Sequence, residues 1–163
     1  MIVTSFNEYG MQIVLGVTED DMTGITIEDG GVLKQGDTSP ALVAQLFENG
    51  DEVVELDSSS MTVLFGARYN GYDELDSTEQ SNTDEYLTGG YEQSGQLANY
   101  TEGSVHDENG GRVEFDWRDA STTEQVGTYD IEFVIVESTG QSGDKIRTFP
   151  ADGFETIEIN EGM

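Results

Sequence analysis

The chain has 163 residues, with 34 Asp or Glu against 6 Lys or Arg and a formal net charge of -28. Its length is that of one domain, and a surface this negative repels phosphate backbones and anionic headgroups, so neither nucleic acid nor a membrane surface is an expected partner. The lack of cysteine excludes disulfides, thiolate metal sites and cysteine nucleophiles, and apolar runs such as Phe133-Val134-Ile135-Val136 fall far short of the ~20 residues of a membrane span.

Residues 1–31 read as an N-terminal extension. Their first eight carry neither a basic n-region nor a long apolar stretch, so synthesis in a host cytoplasm without a signal peptide is expected. Two short strand-like runs, 13–17 and 25–27, either extend a sandwich or reach a neighbouring subunit as an arm. Over 32–163 the apolar pattern has period two, the mark of strands with one buried face. Strands are predicted at 12–17, 41–47, 60–68, 112–118, 129–136, 145–149 and 154–160. In Arg112-Val113-Glu114-Phe115-Asp116-Trp117-Arg118 the apolar side chains point one way and every charge the other. The run that starts at Tyr129 begins with the same alternation and becomes apolar on both faces by Val136, as a central strand does. Acidic residues at 114, 116, 130, 132 and 158 fall opposite the expected core.

Turn signals separate these runs: Asn49-Gly50, Asn70-Gly71, Asn109-Gly110-Gly111, Ser142-Gly143-Asp144 and Asp152-Gly153, pairs that tolerate the positive φ of tight turns. Helical periodicity is missing from every window of 11 residues or more. Seven or eight short strands with regular turns predict an all-β, antiparallel β-sandwich. One stretch exceeds a minimal sandwich. Residues 70–110 are polar, contain Tyr72, Tyr86, Tyr91 and Tyr100, and form a long insertion of the kind that is commonly functional; within it, 91–105 is a candidate for a further edge strand or hairpin.

Catalytic constellations are sparse. The single histidine, His106, lies in a turn-like stretch and reads as a solvated loop residue, so a zinc site or a Ser-His-Asp triad has little support. Phosphate-cradling glycine motifs do not occur. Carboxylate pairs for glycoside hydrolysis can be drawn at will from 34 acids and so carry little information. Calcium candidates are confined to Glu19-Asp20-Asp21 and to Asp73-Glu74 with Asp76, without the alternating spacing of a ligand loop. Asn99-Tyr100-Thr101 is an N-glycosylation sequon within the polar insertion. No cofactor or metal is expected.

Several segments taken in order, Leu33-Lys34-Gln35-Gly36-Asp37-Thr38-Ser39-Pro40-Ala41-Leu42, Gln45-Leu46 and the Asn-Gly turn, Gly111 through Trp117, Val126-Gly127-Thr128-Tyr129-Asp130-Ile131-Glu132-Phe133, Thr148-Phe149-Pro150 and Ile157-Glu158-Ile159, resemble the immunoglobulin-like domain of tailed-virus baseplate upper proteins and related small virion proteins. The resemblance spans about 32–160. It implies an immunoglobulin-like sandwich in which Tyr129 is similar to a tyrosine corner, Ile131 stands where antibody domains place a disulfide cysteine, and Val113, Phe115 and Trp117 lie in the core. Gly36 and Asp37 would form a turn ahead of Pro40, and Phe149-Pro150 would end the penultimate strand because proline cannot donate to a ladder.

The charge adds a setting. In dilute buffer 34 carboxylates against 6 cations oppose compaction, whereas in molar salt the Debye length of about 3 Å screens that repulsion. The two together imply a non-enzymatic structural protein in the virion of a halophilic tailed virus, in the tail tip or baseplate, or on the capsid exterior as decoration or turret. Its expected partners are other virion proteins, copies of itself, and a host-surface glycan or protein met through Tyr72, Tyr86, Tyr91 and Tyr100. A carboxylate-dependent glycan-cleaving tail enzyme is the reading from another class. A thermal melt should show Tm rising steeply from dilute buffer to multimolar KCl, and equal stability in the two would refute salt adaptation.

Overall fold

The computed structural model describes residues 23–138 and 143–162 in full, together with the backbone of 2–6 and 12–18. In chain order the strands are β1 (Ile2–Phe6), β2 (Gln12–Thr18), β3 (Gly24–Asp29), β4 (Val32–Lys34), β5 (Leu42–Glu48), β6 (Glu52–Val53), β7 (Met61–Tyr69), β8 (Thr101–Glu102), β9 (Ser104–Asp107), β10 (Arg112–Phe115), β11 (Gly127–Ser138), β12 (Asp144–Phe149) and β13 (Glu155–Asn160). One short helix, α1 (Ser77–Ser81), lies between β7 and β8.

Two sheets face each other. One has the order β3-β5-β10-β9, with β6 paired to β5; the other has the order β4-β13-β11-β7-β8, with β12 continuing alongside β11. The run β3-β5-β10-β9 against β13-β11-β7 reproduces the A-B-E-D and G-F-C strand orders of an immunoglobulin constant-type sandwich. All pairings are antiparallel except β4 with β13, which is parallel. Strands β1 and β2 pair with each other as a separate hairpin. Within the predicted extension, β3 pairs with β5 from Gly24↔Phe47 to Asp29↔Val43, so the sandwich begins ahead of Val32.

Alternation along the strands builds the core. Leu42, Ala44 and Leu46 of β5, Val113 and Phe115 of β10, Val63, Phe65 and Ala67 of β7, Tyr129, Ile131, Phe133 and Ile135 of β11, and Ile157 and Ile159 of β13 all turn inward and are buried. Aromatic rings join the sheets at the centre: Phe65 stacks on Phe115 at 4.6 Å between centroids and meets the edge of Trp117 at 6.0 Å. The predicted strand over 112–118 stops at Phe115, because the Asp116 carboxylate accepts from the Arg118 amide and the backbone turns into a short 3-10 segment, Ala120–Thr123. Trp117 stays in the core beyond the strand end.

The turns follow local chemistry. Asn49 and Gly50, at φ 52 and 89, both occupy the left-handed region that the β5–β6 connection demands. Gly36, at φ 87, and Asp37, whose carboxylate accepts from the Lys34 amide, form the turn after β4. That turn is pinned from across the molecule: the buried Thr123 hydroxyl donates to the Asp37 carbonyl at 2.7 Å. Pro40 precedes β5, and β12 ends at Phe149, next to Pro150.

The hydroxyl of Tyr129 donates to the Gln125 carbonyl at 2.6 Å, the corner bond that ties the start of β11 to the loop before it. Burial pushes that hydroxyl up to about 12. With no cysteine, Ile131 and its neighbours hold the sheets at this point by packing in place of a disulfide. Tyr129→Phe should cost about 1 kcal/mol for the lost bond and lower Tm by roughly 2–4 °C for a chain of this size, read by calorimetry in molar KCl.

Candidate functional site

The outer face of the β7–β11 pair organises the site. Register places Arg68 opposite Asp130, Gly66 opposite Glu132, and Leu64 opposite Val134. Along β11 this face runs from exposed Thr128 through half-buried Asp130 and Glu132 to buried Val134 and Val136. One strand thus passes from wet to dry.

The insertion dries that end. Leu97, Tyr91 and Tyr100 pack on Leu64, Val134 and Val136 as a second apolar cluster behind the sheet. Backbone bonds attach the insertion along β7: the Tyr69 amide donates to the Glu85 carbonyl, the Leu87 amide to the Ala67 carbonyl, and the Ala67 amide to the Thr88 hydroxyl. Further on, β8 pairs with β7 while β9 pairs with β10, so the chain crosses between the sheets at Gly103. Inside the insertion, α1 starts on a capping box in which Asp76 accepts from the Glu79 amide at 2.8 Å and Glu79 from the Asp76 amide at 3.1 Å.

Gly66 is the position on which this cover depends. A Cβ there would lie 2.6 Å from the Tyr100 ring, so only glycine lets the ring come this close to the strand. The Tyr100 hydroxyl then donates to the Glu132 carboxylate.

A cleft of about 300 Å³ opens where the cover stops, lined by Arg68, Tyr86, Gln96, Asn99, Tyr100, Asp130, Glu132 and Phe154 with the backbone near Gly66. Aromatic rings form its walls, with Phe154 58% exposed and Tyr86 36% exposed. Two carboxylates form its floor. Burial raises the carboxyl of Glu132 above its ordinary range, and Asp130 accepts from the Asn70 amide at 2.8 Å. Arg68 is already engaged, bonding Asp73 at 2.9 Å and Glu85 at 2.8 Å. Its guanidinium lies 5.9 Å from the ring centroids of both Tyr72 and Tyr86.

The four tyrosines read as one contact loop lie around this face, Tyr72 and Tyr86 about Arg68 and Tyr91 with Tyr100 on the outer cluster. Tyr86 and Tyr100 line the cleft, Tyr91 packs on the outer cluster, and the Tyr72 hydroxyl donates to the Gln80 carbonyl at 3.3 Å. Val113, Phe115, Trp117, Tyr129, Ile131 and Phe149 are core residues on the inner side of the sheets, turned away from this face, and Gly36, Asp37, Pro40, Gly127 and Pro150 shape turns and strand ends. His106 lies on β9, not in a turn, with Nδ1 3.3 Å from the Glu114 carboxylate. Asp73 and Asp76 are occupied by Arg68 and by the cap of α1, Glu19-Asp20-Asp21 lies outside the described residues, and among the described residues no group of three acids or histidines is arranged to hold a metal.

Sequence reasoning assigned Asp130 and Glu132 to a solvated face and gave no role to Gln96 or Phe154. Two signals pointed to the cover: the apolar outer face of β11 at Val134 and Val136, and an isolated glycine inside the apolar run of β7. Comparison with known proteins found no family model that matches the chain and no curated protein with significant similarity.

Glu132 gives the site a pH signature. Its folded pKa is raised above its unfolded value, so the folded state binds more protons through that interval and stability falls as pH rises across it. Glu132→Gln removes this penalty while retaining an acceptor for Tyr100. The variant should melt higher than the parent at pH 7, and the gap should close below the ordinary carboxyl pKa, as followed by melts over a pH series.

Proposed function

We propose that this chain is a non-enzymatic structural subunit in the virion of a halophilic tailed virus, placed at the tail tip or baseplate, where it joins neighbouring subunits and contacts the host surface. The observation that carries the reading is the A-B-E-D and G-F-C strand order with its tyrosine corner, of which every strand but the first, β3, lies in the 32–160 span that bears the resemblance to virion immunoglobulin-like domains. Folds of this kind leave function to their edges and loops.

Three features support a role in contacts. The β1–β2 hairpin pairs with neither large sheet, and an isolated two-stranded hairpin is at best marginally stable in water. Pairing with a strand of a neighbouring copy or of another virion protein would widen it beyond two strands. Strand β12 pairs with β11 and, among the described residues, with no other strand, and it shows Ile146 44% exposed beside Lys145 and Asp144, an edge suited to strand addition yet guarded by charge. The cleft with Tyr86 and Phe154 is a third surface, open to a host ligand.

A capsid-surface decoration or turret protein is the neighbouring reading, and the same surfaces would serve it. The enzymatic reading is favoured by one observation: Asp130 and Glu132 lie two residues apart on one strand and share the cleft, with Cα atoms ~7 Å apart by strand geometry. Both carboxylates are bonded, however, to Asn70 and Tyr100. That arrangement suits fixed recognition better than proton transfer.

Immunogold labelling of purified particles, paired with mass spectrometry of their proteins, tests the placement. Label at the tail tip supports the baseplate reading and label over the head supports the decoration reading. A chain missing from the particles would end both.

A further inference from the structure

We infer that the cleft between the insertion and β11 binds a neutral pyranose, gripping it between the exposed rings of Tyr86 and Phe154 and bonding its hydroxyls through Asp130, Glu132, Gln96 and Asn99. The inference rests on the attachment reading for the origin of the sugar, a host-surface glycan, but not for the binding itself.

The chemistry of the lining selects the ligand class. A pyranose has apolar C–H faces and a polar rim of hydroxyls that donate and accept. Aromatic side chains answer the first, and Tyr86 and Phe154 both line the cleft, are exposed, and have few rotatable bonds to immobilise. Carboxylates accept from hydroxyls, while side-chain amides both donate and accept. Asp130 and Glu132 supply the former and Gln96 and Asn99 the latter, around a cavity of about 300 Å³. That volume is at the small end for ligand pockets, enough for one or two rings.

Charge narrows the class further. An anionic sugar would meet two carboxylates in a chain of net charge -28, and the one cation in the cleft, Arg68, is engaged by Asp73 and Glu85. A phosphate or sulfate ester would meet the same obstacle. A purely apolar ligand would strip water from Asp130 and Glu132 without replacing it. Hydroxyl groups on a neutral ring meet none of these costs.

The floor is also preorganised. Tyr100 packs against Gly66 and orients the Glu132 carboxylate, and Asn70 orients that of Asp130, so the ligand has little side-chain freedom left to quench.

Saturation-transfer NMR on the full chain in molar KCl, with methyl glucoside, methyl galactoside, N-acetylglucosamine and glucuronate as probes at millimolar concentration, tests this directly. Transfer should reach the ring C–H protons of at least one neutral sugar and be weak for glucuronate. Phe154→Ala and Tyr86→Ala, both at exposed positions, should each weaken binding about tenfold with Tm unchanged. Absence of transfer from all three neutral sugars, a preference for glucuronate, transfer undiminished in both variants, or release of free glucose or galactose from the glycosides would each overturn the inference. A chain missing from particles would instead overturn the virion reading and leave the binding result standing.

Discussion

Strand β11 has to be dry on both faces at its far end, and much of the molecule follows from that constraint. Phe133 and Ile135 turn into the sandwich core, while Val134 and Val136 turn outward. An outer face of two valines and Leu64 left in water would lose on the order of 1.5–3 kcal/mol per side chain relative to burial. The insertion is the cover. Leu97, Tyr91 and Tyr100 close over the valines, and Gly66 gives way beneath Tyr100. A cleft forms where the cover ends, because β11 is still wet at Asp130 and Thr128.

Against this packing stands the charge. Three of the six cations each join parts of the chain that packing alone holds loosely: Arg68 ties the insertion to β7, Arg112 reaches over β5 from β10 to Glu28 on β3, and Arg147 of β12 meets Glu48 of β5 in the opposite sheet. Each pair is a third or so exposed and individually weak, and salt screens it further. What salt removes from these attractions it also removes from the repulsion among 34 carboxylates. The balance then rests on the apolar core, which salt strengthens if the anion is kosmotropic.

Much of the sandwich was legible in the sequence because its strands are half-buried and alternate cleanly. Val113 and Phe115, or Ile157 and Ile159, announce one face each, and the Asn-Gly pairs announce the turns. The strand limit at Phe115 was not legible, since Trp117 keeps the inward phase after the backbone has left the ladder. The site was less legible still. Its floor is made by two acids of a strand whose outer face looks solvated until a segment some thirty residues away in sequence is laid over it, and such a long-range cover leaves only indirect marks: paired apolar residues on β11 and a glycine in β7. His106 looks like a turn residue because acids and glycines surround it, yet its neighbours Val105 and Asp107 pair with β10 and place it at a bulge within a strand.

The parallel pairing of β4 with β13 has a mechanical consequence. Gly31 accepts from the Glu158 amide and Asn160 from the Gln35 amide, so the two strands are stitched side by side and run the same way. Tension that pulls the chain backward ahead of β4 and forward beyond β13 would load these bonds together, in shear, instead of opening them one at a time like a zip. Along the line of its own chain the sandwich thereby yields only when these bonds break as a set.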